Sequence, residues 1–302
     1  MLKPLRWQIA AALAAVYIIW GSTYLAIRVA VENLPPFLMA GARFLVAGLL
    51  LYALVRGQSG KPARAHWRSA FIVGGALLLG GNGGVCWAEQ RVPSGLTALI
   101  IGTTPLWFTL IDWLGHGAAR PTVRTVAGLL CGFAGVGLLV SPGRFAGGEH
   151  VDSIGAAVLI VAAISWAAGS LYSRRAVLPE SPWLATAMEM VAGGALLLLV
   201  SALTGEWRVA GSVHVPLRAW LALLYLMVFG SLVAFSAYIW LLRAVSTAVV
   251  STYAYVNPVV AVLLGWWLLR EPITPRVLLA ASAIIVAVML LVSRPAPPAE
   301  IA

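Results

Sequence analysis

The sequence predicts an all-α polytopic membrane protein whose ten transmembrane helices form two inverted five-helix repeats around a central cavity. Three observations carry that prediction. The first is composition: of 302 residues, 61% are hydrophobic and 10% charged, and the mean hydropathy is +0.94. A water-soluble domain is about half apolar and about a quarter charged, so such a fold is excluded. The second is the shape of the apolar runs, which are continuous over about 20 residues, as membrane helices require, rather than alternating over about ten as in a barrel. The third is an internal repeat that divides the chain into two halves.

Apolar runs, punctuated by Pro, Gly and charge, place helices near 7–31, 35–55, 67–90, 93–115, 121–141, 153–175, 182–204, 216–242, 245–270 and 274–293. The first follows Lys3 and Arg6 and runs to about Ala30 with no small-residue cleavage site, so it reads as an uncleaved helix rather than a signal peptide. Pro35-Pro36, Pro93, Pro121 and Pro182 stand at helix starts, where the missing N–H costs least. In the fifth helix, Gly128, Gly132 and Gly135 give the small-residue spacing that lets helices touch closely. After the tenth, Arg294-Pro-Ala-Pro-Pro cannot continue a helix, and 295–302 reads as a loose tail.

The net charge of +10 reads as topology rather than nucleic-acid binding, because cytoplasmic loops collect Lys and Arg. With the N-terminus inside, twelve basic residues fall on the inner side, among them Arg56, Lys61, Arg64, Arg174, Arg175 and Arg243, against six outside. Both termini are therefore expected in the cytoplasm, which requires an even number of spans. Cys86 and Cys131 lie inside apolar runs and suggest neither a disulfide framework nor a zinc site.

In the repeat, Trp20-Gly-Ser-Thr-Tyr-Leu-Ala-Ile-Arg28 aligns with Trp166-Ala-Ala-Gly-Ser-Leu-Tyr-Ser-Arg174 at an offset of 146 residues, which also pairs Pro36 with Pro182 and Gly48 with Gly194. Further on the offset becomes 153, pairing Trp67 with Trp220, Trp87 with Trp240, Pro105 with Pro258 and Trp113 with Trp266. The units are 1–142 and 152–294. Five spans per half is an odd number, so the second half is inverted relative to the first. Inverted halves with a site at mid-membrane are the architecture of secondary transporters.

Five strings carry a family resemblance: Tyr17-Ile-Ile-Trp-Gly-Ser-Thr-Tyr24, Pro35-Pro-Phe-Leu-Met-Ala-Gly-Ala-Arg-Phe44, Asn82-Gly-Gly-Val-Cys-Trp-Ala-Glu-Gln90, Val92-Pro-Ser-Gly-Leu-Thr-Ala98 and Ser251-Thr-Tyr-Ala-Tyr-Val-Asn-Pro-Val-Val260. Over nearly its whole length the chain resembles the EamA family of the drug/metabolite transporter superfamily, nearest to its YedA and YddG types of bacterial inner-membrane exporter. The resemblance implies ten helices, with the first four of each half lining a central cavity and the fifth packing outside. It does not imply a substrate, since the superfamily moves amino acids, sugars, nucleotide precursors and drugs.

Ionisable residues inside a bilayer are functional candidates. Arg43 lies about eight residues, or about 12 Å, inside the second helix, and its repeat partner is Glu189. Either the two charges hold neighbouring helices, or Arg43 meets a substrate carboxylate. Glu89 ends the third helix and shares a face with Asn82 and Cys86 by the i, i+4, i+7 rule. That stripe faces either a wet cavity or a tightly packed neighbour, with Glu89 solvated near the outer surface or serving as a proton relay. Asn82 also sits within Gly80-Gly81-Asn82-Gly83-Gly84, where a close backbone approach or a helix break is expected.

Pro105 and Pro258, preceded by Thr104 and Asn257, form a matched pair of expected kinks, read either as gates or as fixed bends. Trp20 and Trp166 occupy matched mid-helix positions, with Tyr238, Tyr253 and Tyr255 at comparable depth. Such a ring cluster would hold flat apolar groups or ammonium ions. Taken with the expectation that no unpaired cation is buried there, it favours zwitterionic or neutral solutes over phosphates. Trp7, Trp67, Trp183 and Trp220 read as interface belts.

No Gly-x-x-x-x-Gly-Lys-Ser/Thr string is present, so ATP is not the expected power source. His66, His116, His150 and His214 fall in loops or at span ends, so no intramembrane metal site or catalytic centre is expected. The sequence thus points to a small-molecule exporter in the bacterial inner membrane, with amino acids the favoured cargo, multidrug or lipophilic-cation efflux the alternative and an intramembrane enzyme a distant third. No cofactor is expected, the chain is read as a monomer or weak homodimer, and proton coupling is left open.

Overall fold

The computed structural model describes residues 5–57, 61–116, 122–140, 152–210 and 215–292. The described residues contain helices and connecting turns and no strand. In chain order the principal helices are α1 (Arg6–Val31), α2 (Pro36–Val55), α3 (Arg64–Ala88), α4 (Ser94–Ile101 and, after a break, Thr104–His116), α5 (Val123–Val140), α6 (Ser153–Ser173), α7 (Pro182–Leu203), α8 (Leu217–Ala244), α9 (Tyr253–Leu269) and α10 (Pro275–Val292). Among the described residues seven of these, α1 to α4 and α6 to α8, are long and apolar enough to cross a membrane; α5, α9 and α10 are shorter apolar helices.

Helix starts follow the local chemistry. Pro36 and Pro182 occupy first turns, and the Ser181 hydroxyl accepts from Leu184 N at 3.4 Å. The Asp152 carboxylate accepts from Gly155 N at 2.6 Å. Two caps reach across the fold instead. Glu206 accepts from Phe37 N and Leu38 N (3.3 and 2.7 Å) at the start of α2. Glu271 accepts from Ser94 N, Ser94 Oγ and Gly95 N (2.8, 2.8 and 3.0 Å) at the start of α4. A carboxylate placed on the free N–H groups and positive end of a helix stabilises it, so these two residues tie the second half of the chain to the first.

Three details differ from the sequence reading. The fourth run is not one helix: it breaks at Gly102-Thr103, where Thr103 and Thr104 turn their hydroxyls back on Ile100 O and Ile101 O at 2.6 Å each. The ninth does not start near 245, because a separate turn, Thr247–Val250, precedes α9. Of the two expectations for Gly80–Gly84 the close approach holds and the break does not: a Cβ on Gly81 would lie 2.8 Å from Trp166 Cε3 and one on Gly83 2.8 Å from Leu197 Cδ2. The segment lies at the end of a π-helical stretch, Gly75–Gly83, with similar stretches at Val16–Trp20 in α1 and Leu226–Phe235 in α8. Such wide turns concentrate at functional sites. Pro121, His150, His214 and the tail 295–302 lie outside the described residues.

The helices pack in a repeating scheme: α3 against α6 and α7, α1 against α8 and α9, and α4 against α6 and α9. The most extensive contact is between α2 and α7. There a Cβ on Gly48 would lie 2.7 Å from Val191 N, and one on Gly194 would lie 2.5 Å from Leu45 N. Only glycine permits backbones that close. α5 and α10 pack on one another, Gly135 closing on Ala280, Ala283 and Ile284 of α10 and Gly132 on Ala287 of α10 and Leu106 of α4.

Candidate functional site

The π-helical stretches of α1 and α3 and the break in α4 each contribute to the wall of one cavity. It is lined from α1 by Trp20, Thr23, Tyr24 and Ile27, from α2 by Arg43, from α3 by Gly81, Asn82 and Val85, from α4 by Ile101, from α6 by Ala162 and Trp166, and from α9 by Tyr253.

The rings form one connected cluster. Trp20 stands edge-on to Trp166 and Tyr253, with centroids 5.4 and 5.6 Å apart, and 4.9 Å from Tyr238. Tyr238 lies 5.5 Å from Trp166 and 5.9 Å from Tyr253. Their polar tips are satisfied: Trp20 Nε1 donates to Gly230 O at 3.3 Å, Trp166 Nε1 to the Tyr238 hydroxyl at 3.0 Å, and Ser170 Oγ lies 2.7 Å from that hydroxyl. Hydrogen-bonded edges fix the rings and leave their faces for packing.

Of the eight cavity residues expected from sequence, Trp20, Asn82, Trp166 and Tyr253 line the cavity. The other four stand behind or beside it. Tyr238 is fully buried behind Trp20 and Trp166. Thr104 is buried and bonded to Ile101 O. Asn257 is buried and, in the amide orientation that satisfies it, donates to Tyr17 O and Tyr253 O at 3.0 and 3.3 Å. Tyr255 is half-buried and off the wall. Tyr24, Ile27 and Val85 were missed, although Tyr24 and Ile27 follow Trp20 at i+4 and i+7 and Val85 follows Asn82 at i+3, the spacing of a shared helical face.

The expected kinks meet each other in an unexpected way. Pro105 sits in the first turn of the second part of α4, just past the break, while Pro258 lies inside α9. A Cβ on Gly102 would lie 2.9 Å from Pro258 Cγ and 3.0 Å from Ala254 O, so the break in α4 packs against the proline-bearing turn of α9. Ala254 O is the carbonyl that a proline at 258 leaves without its helical donor.

The buried charges require two corrections. Glu89 is not solvated near the surface: it is fully buried with neither carboxylate oxygen hydrogen-bonded, while its backbone carbonyl accepts from Arg28. The same Arg28 begins an ion-pair chain through Glu32 to Arg218, at 3.7 and 3.4 Å. Nor is the cavity free of a buried unpaired cation. Arg43, 1% exposed, donates from Nε to Ser231 Oγ at 2.7 Å and sits 4.5 Å from the Phe44 ring centroid, but its Nη1 has no partner. Its repeat mate Glu189 is fully buried with both carboxylate oxygens unbonded and forms no ion pair with Arg43.

Helices without a strand among the described residues, seven of them apolar and long enough to cross a membrane, and an aromatic cavity walled by both halves of the chain give the form of a membrane transporter. The model of the EamA-like transporter family matches residues 6–141 and again 153–293. The chain belongs to that family. It is 44% identical over 283 residues to the uncharacterized inner membrane transporter YedA of Escherichia coli K12, covering 92% of this chain and 89% of the relative. It is 25% identical to the uncharacterized transporter YoaV of Bacillus subtilis, covering 88% and 90%, and 28% identical to a WAT1-related chloroplastic protein of Arabidopsis thaliana, covering 95% and 69%. A solved crystal structure at 20% identity superposes with a TM-score of 0.66 over 95% of this chain and 96% of that one, a likeness of fold.

Proposed function

We propose that the protein is a secondary transporter of the bacterial inner membrane that exports small organic metabolites, amino acids with aromatic or hydrophobic side chains foremost, by alternating access. The cavity carries the reading: it is lined by aromatic rings with one buried cation and is walled by both halves of the chain. All ten apolar helices are read as spans, since even α5, α9 and α10 reach the lower end of the roughly 17–25 residues that cross a bilayer. The chemistry asked of the protein is binding and movement without a catalytic step.

Several features support two inverted halves, 1–142 and 152–294. The family model matches twice. The repeat mates Trp20 and Trp166 touch. Gly48 meets Val191 as Gly194 meets Leu45, and 45, 48, 191 and 194 pair at the offset of 146. The π-helical stretches of α3 and α8 overlap at the offset of 153. Contacts that recur under exchange of the halves are what a two-fold axis between them would produce.

Efflux of lipophilic cations is the second reading, favoured by the ring faces. Export of a broad solute panel from cells overproducing the protein tests the function. Amino acids appearing outside faster than in control cells support it, and an unchanged profile across the panel contradicts it.

A further inference from the structure

The strongest unexplained feature of the cavity is its one guanidinium. Arg43 reaches the cavity from α2 and is almost wholly buried, and its protein partners account for only part of its donor capacity. Arg43 Nε is satisfied by Ser231 Oγ and the Phe44 ring lies beneath it, but Nη1 is unpartnered. A guanidinium carries five donors and keeps its charge in proteins. Leaving it charged, buried and short of acceptors is costly. Neither buried carboxylate relieves it, since no ion pair joins Arg43 to Glu89 or Glu189 among the described residues.

The site around it is built rather than accidental. Ser231 belongs to the π-helical stretch of α8, and Gly230 beside it has no side chain where one would lie 2.7 Å from Arg43 Nη2. Trp20 also bonds Gly230 O. The backbone of α8 therefore positions both the cation and the first ring of the cavity wall.

We propose, resting on the transport reading above, that Arg43 is the anion anchor of the cavity and holds the carboxylate of a monoanionic or zwitterionic substrate. Trp20, Tyr24, Trp166 and Tyr253 take its apolar part. One cation among rings matches one negative charge. A phosphate dianion would carry a second charge into the same apolar walls without a partner, and an organic cation would be repelled by Arg43 whatever the ring faces offer. A substrate ammonium group, where there is one, has the ring faces and the second lone pair of Asn82 Oδ1, whose first accepts from Cys86 Sγ at 3.5 Å.

The test is equilibrium binding to the purified full-length protein in nanodiscs, with matched probes that differ only at the acid group. The probes are phenylalanine against phenylalaninol, leucine against leucinol, and 3-phenylpropionate against phenethylamine. The proposal expects each carboxylate to bind about 10- to 100-fold more tightly than its cationic counterpart, the range of a charge-assisted hydrogen bond. In Arg43→Gln that preference should vanish, and Arg43→Lys should keep part of it. The preference measured in the unaltered protein stands even if Arg43→Gln does not fold. Counterparts that bind as tightly as the acids, a folded Arg43→Gln that keeps the preference, or no binding by any carboxylate would each overturn the proposal. If phenethylamine is still carried into proteoliposomes in that last case, the protein transports and only the anchor is wrong.

Discussion

Replacing Gly48 and Gly194 by alanine, singly and together, tests the crossing on which the two halves are read as equivalent. Each added methyl would stand 2.5–2.7 Å from a backbone nitrogen of the opposite helix. Ordinary contact begins near 3.4 Å, so α2 and α7 must separate by about 0.7–0.9 Å, a gap that forfeits a quarter to a half of each dispersion contact along the seam. Because the obstacle is backbone, the cost falls at the upper end of the overpacking range, about 3 kcal/mol. Alanine returns about 1 kcal/mol in helix propensity, leaving a net loss of about 2 kcal/mol per site. For a chain of this size that lowers the thermal midpoint by about 4 °C. The two substitutions share one separation, so the double variant should lose less than the sum. Gly137→Ala, where a Cβ on α5 meets nothing within 4 Å, should leave the midpoint unchanged or raise it. The assay is thermal unfolding of the detergent-solubilised protein followed by tryptophan fluorescence. Gly48→Ala and Gly194→Ala variants that melt like Gly137→Ala, or a double variant that is fully additive, would refute the reasoning.

Three further predictions follow from the site and the topology. Trp166→Ala should reduce transport more than Trp183→Ala while both reach the membrane, because Trp166 lines the cavity and Trp183 is an exposed residue at the start of α7; flux of both variants, normalised to membrane content, decides, and equal loss would place the cavity wrongly. Pro105→Ala gives residue 105 an N–H that can reach Ile101 O and carry α4 through its break, and Pro258→Ala returns a donor to Ala254 O; cysteines at the two cavity mouths, in a background without Cys86 and Cys131, should show opposite changes in thiol labelling, whereas shifts in one direction would reduce the prolines to packing features. A reporter fused after the last helix should be active in the cytoplasm, and activity only in the periplasm would overturn the assignment of the termini.

Much of the fold was legible because a bilayer forces long apolar runs and proline marks their starts. The repeat offset brought out Trp20 and Trp166 as a pair before any coordinates did, and Asn82 and Tyr253 followed from depth and helical face. What the sequence hid depends on rotation and on distant partners. A π-helical turn rotates everything that follows it, so periodicity alone could not place Tyr238 behind the wall rather than on it. Arg43 was visible as a deep charge, but whether it only held a neighbouring helix or also reached the cavity turned on the direction in which α2 faces α8. Glu89 looked like an ordinary span end. Its side chain is fully buried, and the Arg28 that bonds its carbonyl stands 61 residues away in the chain. Glu206 and Glu271 cap helices 168 and 176–177 residues away, and no local signal announces such a cap.

The central claim is that the protein carries an unmodified organic solute through a cavity shared by two halves. Counterflow in proteoliposomes containing only the purified protein tests it most directly: vesicles preloaded with unlabelled phenylalanine are diluted into a trace of the labelled compound, with no ATP present. The account predicts transient accumulation of chemically intact label above its level in protein-free vesicles, abolished when Trp166 is replaced by alanine. Label that stays at the protein-free level for phenylalanine and for every other amino acid tried, or that is recovered chemically altered, would contradict it.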